Sequence, residues 1–164
     1  MLATFLVHYP WITPLVLLCL VVASPTLGQW LLPRRQLTGA LGLAAAIAVL
    51  AIVFTPTGRE LSVGCAVEWT IPLPSAVEPF ANVALFAPAA YLGALLTRRP
   101  GMVAGIAVGA SALIEATQGL LPVLGRSCST GDWVANSIGA LLGAGLGWIA
   151  LSLAKRADVG DASP

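Results

Sequence analysis

Apolar residues in this chain come in long unbroken runs rather than in alternation, and runs of that kind select helices over strands. Crossing the ~30 Å hydrocarbon core of a bilayer takes about 20 apolar residues, within a range of about 17 to 25. Five segments come close to or meet that requirement: residues 11–32, 37–54, 80–96, 102–121 and 133–153. The pattern predicts an all-α polytopic membrane protein, about five transmembrane helices in an up-and-down bundle, forming a single membrane domain over residues 1–164. The third segment is the shortest and contains Pro88, whose missing N–H frees a carbonyl that neighbouring helices must re-satisfy; a kink is expected there. The first segment reads as a retained helix rather than a signal peptide, because no Lys or Arg precedes it and no convincing cleavage site is present.

Composition sharpens this. The chain is 58% hydrophobic and 9% charged, with a mean hydropathy of +0.92, whereas soluble domains carry roughly 25% charged residues. It cannot cover itself with polar surface, so lipid must be its solvent over most of its area. The formal net charge of +1 comes without a basic patch, which gives no reason to expect nucleic acid. The placement of charge says more than its sum. Arg34, Arg35, Arg98, Arg99, Lys155 and Arg156 fall at one end of an up-and-down arrangement, and only Arg59 and Arg126 at the other, beside Glu60, Glu68, Glu78 and Asp132. The positive-inside rule then puts the N-terminus outside and the C-terminus inside. His8 would also lie outside, as an interfacial residue rather than a ligand.

Two outer loops result, residues 55–79 and 122–132, each with one cysteine. Cys65 and Cys128 would share an oxidising compartment, and a disulfide between them would clamp helices two and three to helices four and five. The alternative is two unpaired small residues, since pairing requires Cα atoms within about 7 Å. Cys19, in the middle of the first span, is most simply a small apolar residue facing a neighbouring helix. Three cysteines at these separations make no zinc motif.

An ionisable group inside a span costs several kcal/mol unless it is paired or hydrated. Glu115 is the one that qualifies, about six residues from the outer end of the fourth span and roughly 9 Å deep at about 1.5 Å per residue. Gln118 shares its face, nearer the surface. The fifth span opens with Asp132, followed at i+4 by Asn136, and the third opens with Asn82. With Arg126 from the loop, these six residues reach similar depth and are expected to converge in one outer-leaflet cleft. Glycines at four-residue spacing, Gly101, Gly105 and Gly109 in the fourth span and Gly139, Gly143 and Gly147 in the fifth, present smooth stripes that allow close helix packing. A Gly/Ala bias without a packing role is the simpler alternative.

These residues carry a resemblance. Ser111-Ala-Leu-Ile-Glu115-Ala-Thr-Gln118, then Gly125-Arg126-Ser127, then Asp132-Trp-Val-Ala-Asn136-Ser-Ile-Gly139-Ala-Leu-Leu-Gly143 resembles the signature of VanZ-like membrane proteins, and Asn82-Val-Ala-Leu-Phe86-Ala-Pro88 looks like that family's helix start. The resemblance covers residues 80–150. It implies a small multi-pass protein of the bacterial cytoplasmic membrane, in a family whose founding member is linked to teicoplanin resistance. It leaves molecular activity open, so function must be argued from the site.

Three classes of function follow from the residues. The first is binding of an amphiphilic or lipid-linked headgroup, with Arg126 seeking an anionic group and Glu115, Asp132, Asn136, Asn82 and Gln118 as hydrogen-bonding partners, linked to glycopeptide resistance or envelope maintenance. The second is a membrane-embedded enzyme acting on a lipid headgroup, with Glu115 as general base and Asp132 as the other catalytic candidate. Against it, no Cys or His nucleophile is arranged nearby, and His8 is the single histidine. The third is a structural subunit in which Glu115 pairs with Arg126 and Asp132 caps the fifth helix. Two carboxylates and an amide could hold a divalent ion, but nothing in the sequence demands a metal or cofactor.

Overall fold

The structure, a computed structural model, describes residues 8–69, 72, 73 and 76–160. The residues preceding position 8, which entered the retained-helix reading, lie outside that range. Among the described residues five helices are long and apolar enough to cross a membrane. They are α1 (Ile12–Leu31), α2 (Arg35–Phe54), α3 (Val77–Thr97), α4 (Pro100–Leu120) and α5 (Thr130–Gly160). A multi-pass all-α bundle is therefore the fold. Two short strands, β1 (Cys65–Ala66) and β2 (Cys128–Ser129), pair in parallel at one end, called here the loop end.

At the centre α3 and α5 run parallel, and α5 presents its glycines to α3. A Cβ at Gly139 would strike the Val83 carbonyl, one at Gly143 the Ala87 carbonyl, and one at Gly147 the Ala94 Cβ. Without side chains there, the two backbones approach closely enough for dispersion to hold them together where lipid offers no hydrophobic drive. The helix-four stripe requires correction. Gly101, Gly105 and Gly109 are exposed and have open space around them, because α4 turns Ala104, Ser111, Ile114, Glu115 and Gln118 inward instead.

Two apolar clusters flank the central pair. Val49 and Val53 of α2, Phe86 and Ala90 of α3, Ile114 of α4 and Ala140 of α5 form the first. Leu31 of α1, Tyr91 and Leu95 of α3, and Leu146 and Ala150 of α5 form the second. Prolines inside the spans are tolerated as lipid requires. Pro25 cannot donate to the Val21 carbonyl, and the Ser24 hydroxyl does so at 3.0 Å. Tyr91 Oη donates to the Ser24 carbonyl at 2.6 Å, tying α1 to α3. The helix runs through Pro88 without interruption. Cys19 is exposed on α1, so it faces away from the neighbouring helices rather than toward one.

The loops at the loop end are laced together. Cys65 and Cys128 form a disulfide, with Cα atoms 4.6 Å apart. Thr57 N donates to Leu124 O at 3.1 Å and Gly64 N to Gly119 O at 3.2 Å, while the Thr57 hydroxyl donates to the Gly125 carbonyl. Gly125 is required twice over. Its φ is +60°, and a Cβ there would meet Thr57 Oγ1 at 2.7 Å and the Arg59 backbone at 2.8 Å.

Candidate functional site

Phe86, Ile114 and Ala140 meet in one buried cluster. Residues four apart on a helix lie one above the other. Because α4 runs antiparallel to α3 and α5, Asn82, Gln118 and Asn136 by helix spacing stand one turn above the apolar cluster, toward the loop end.

The polar residues divide into two groups. Glu115, 7% exposed, accepts a hydrogen bond at Oε2 from Ser129 N at 3.0 Å. Ser129 stands where β2 passes into α5, and an amide at a helix start has no intrahelical carbonyl to meet. The Ser129 hydroxyl in turn accepts from Asp132 N at 2.9 Å, which is the N-cap interaction. This corrects the expectation that Asp132 caps the helix. Freed from capping, Asp132 accepts at Oδ1 from Asn82 Nδ2 at 2.8 Å and lies within electrostatic range of Glu115. Asn136, 3% exposed, is one turn below Asp132; its Oδ1 has no hydrogen-bond partner, nor does Ser111 Oγ on α4.

Gln118 and Arg126 turn to α2 instead. Gln118 Nε2 donates to Val53 O at 2.9 Å. Arg126 Nε donates to Thr55 O at 3.1 Å, and its Nη2 to Ile52 O at 2.6 Å. The last carbonyls of a helix lack intrahelical donors and carry its negative dipole end, so a guanidinium is well matched to them. The Glu115–Arg126 ion pair of the structural reading is accordingly replaced by two separate anchorings, one on β2 and one on the end of α2.

At the loop end is a cavity of about 160 Å³ lined by Glu68, Glu78, Ser127, Ser129 and Asp132, among others. Of the six residues singled out in the sequence, Asp132 alone lines it. Glu78 enters from the first turn of α3. Glu68 is held over the start of α5, its N–H donating to Thr130 Oγ1 at 2.8 Å and its carbonyl accepting from the same hydroxyl at 2.5 Å. Sequence reasoning placed both carboxylates on this side but not in the site. The signal for Ser129 was present, since Ser129-x-x-Asp132 before an apolar run is a capping pattern; nothing in the sequence pointed to Glu68. At the opposite end, the α1–α2 turn forms an open shelf at Pro33–Leu37. There the Arg34 guanidinium stacks over Trp30 at 4.3 Å.

Among the described residues no group of three or more His, Cys, Asp or Glu is placed to hold a metal ion. The arrangement offers hydrogen-bond acceptors around a small polar cavity at the edge of the bundle. Comparison with known proteins agrees with the motif reading and extends it: the VanZ/LLP1 family model matches residues 11–151. Neither a curated protein nor a solved structure matches the chain.

Proposed function

The chain belongs to the VanZ/LLP1 family, and from that premise we propose that it binds the headgroup of an amphiphile, a membrane lipid or a lipid-linked envelope precursor, in the cavity at the loop end. The loop end faces outward from a bacterial cytoplasmic membrane under the basic-residue asymmetry described above, so the headgroup belongs to the outer leaflet. A role in envelope maintenance or glycopeptide resistance is consistent with such a site.

The observation that carries the reading is the cavity itself. It is lined by polar side chains from three stretches of chain, at Glu68, at Glu78 and along residues 127–132, and a disulfide and crossed loop hydrogen bonds preorganise it. Holding the walls in place before binding removes an ordering cost from association. The general-base role given to Glu115 loses support, because Glu115 is absent from the cavity lining and its Oε2 is already engaged by the Ser129 amide, whereas Asp132, the other catalytic candidate, lines the cavity. Arg126 also loses its assigned role toward an anionic group, since its Nε and Nη2 are committed to α2.

The test fills the cavity. Ser127 is exposed on its wall, and Ser127→Trp adds bulk without removing a partner from the buried polar residues. Native mass spectrometry of protein extracted from its own membrane should show one retained amphiphile on the wild type and its loss in S127W, with melting temperature unchanged. Equal retention by both proteins means that the bound lipid sits elsewhere and the reading is wrong.

A further inference from the structure

We propose that the stretch following β1 dips into the membrane at the loop end, with Val67 and Trp69 inserted in the lipid of that leaflet as an interfacial anchor. The cavity's ligand plays no part in this inference. Its first support is the direction of the chain. A Cβ at Gly119 of α4 would meet Cys128 Cβ and Gly64 O at 3.1 Å each, and Gly64 N donates to Gly119 O at 3.2 Å, so Gly64 and Cys128 share the level of Gly119. One residue on from Cys128, Ser129 N donates to Glu115 Oε2 at 3.0 Å. Glu115 lies one helical turn deeper on α4 than Gly119, about 6 Å at about 1.5 Å per residue, and its side chain leans deeper still, toward the helix N-terminus. β2 thus descends from the end of α4 into the span. β1 pairs with it in parallel, Cys65 against Cys128 and Ala66 against Ser129, so β1 descends as well. Glu68 continues the descent beside the first residue of α5, its N–H donating to Thr130 Oγ1 at 2.8 Å.

The second support is the alternation of side chains. Successive residues of an extended chain face opposite sides. Ala66 and Glu68 line the cavity, whereas Val67 and Trp69 are absent from its lining and stand 76% and 73% exposed. The backbone fits the same surroundings. Irregular chain is tolerated at membrane depth only where protein satisfies its polar groups, and the Gly64 and Glu68 amides and the Glu68 carbonyl all have partners on α4 and α5. Trp favours the boundary between acyl chains and headgroups, where its ring is in apolar surroundings and its N–H can reach polar ones. Trp11, just before α1 at the same end of the bundle and 60% exposed, has a comparable position. Lipid is the occupant that this depth supplies without any further molecule, and it covers an apolar pair that water would leave bare.

Fluorescence quenching from the lipid side tests the anchor. Wild type and Trp69→Phe would be reconstituted into phosphatidylcholine vesicles, either plain or with acyl chains brominated near their headgroup end. The difference between the two proteins isolates the emission of Trp69 from that of the other tryptophans. This component should lose most of its intensity in the brominated vesicles, and less of it to iodide added in the water. Trp69→Phe keeps an apolar ring at an exposed position, so its melting temperature should match that of wild type. A component quenched by iodide and untouched by bromine overturns the anchor, because the side chain then stands in water. A component shielded from both quenchers overturns it in favour of a protein surface, a second copy or another chain, covering the residue.

Discussion

Glu115 shows how much of a residue's role depends on which atom it meets. A carboxyl several ångströms below a membrane surface costs several kcal/mol unless something compensates for it, and depth alone is equally compatible with a base, a ligand or an ion pair. In the structure its Oε2 receives the amide at the start of α5, so its work is to hold β2 and Ser129 under the cavity wall. Glu115→Ala would leave that amide without an acceptor in a site 7% exposed, and a loss of about 1–3 kcal/mol is expected. Glu115→Gln retains an acceptor oxygen and should cost less than about 1 kcal/mol. Reversible unfolding in detergent distinguishes the two. Equal losses in both variants would show that the charge matters and not the bond. Headgroup binding should survive E115Q, whereas an enzyme using this carboxylate would lose its turnover.

At the scale of the element, the two glycine series look alike in sequence and behave differently in the bundle. Gly143 lies against the Ala87 and Tyr91 backbone, where a Cβ would stand 2.9 Å from Tyr91 N, while Gly105 faces open space. Main-chain atoms cannot swing aside as side chains can. Gly143→Ala should therefore push α3 and α5 apart and destabilise by about 1–3 kcal/mol, as overpacking does. Gly105→Ala should be neutral or stabilising by up to about 1 kcal/mol through helix propensity. Melting temperatures of the two variants in one detergent check this; a large loss in G105A would place a packing partner on that face. The same distinction applies to Arg126, which is on a loop in sequence but serves as the terminus of α2 in space.

For the whole molecule, the decisive quantity is which end faces out. Asymmetry of the basic residues predicts that the disulfide-bearing end is external. Cysteine introduced at Val123, 83% exposed, should react with an impermeant maleimide added to intact cells, whereas cysteine at Arg99 or Arg156 should react only after lysis. Labelling of position 99 from outside inverts the bundle and with it the leaflet of the proposed ligand. The disulfide bears on this scale too. It joins residues 63 apart, closing the two loops over one cavity, and the chain-entropy model sets its stabilisation at no more than about 4 kcal/mol, since spans that stay helical when unfolded have less entropy to lose.

Span positions, the depth of the polar residues, the placement of both cysteines in loops at one end and the family motif were all legible along the chain. The physical reason is that lipid imposes one coordinate: depth follows from position along a helix, and burial in hydrocarbon reads hydropathy directly. What the tertiary structure decided was azimuth and loop path. Which way α4 turned its glycines, whether Arg126 met Glu115 or the end of α2, and whether Glu68 reached the site all depend on rotation about helix axes and on how two loops cross. Those choices are set by every helix packing at once, and no single segment contains them. Ser129 lies between the two cases, since its capping pattern was local, yet the partner for its own amide, Glu115, came from another helix.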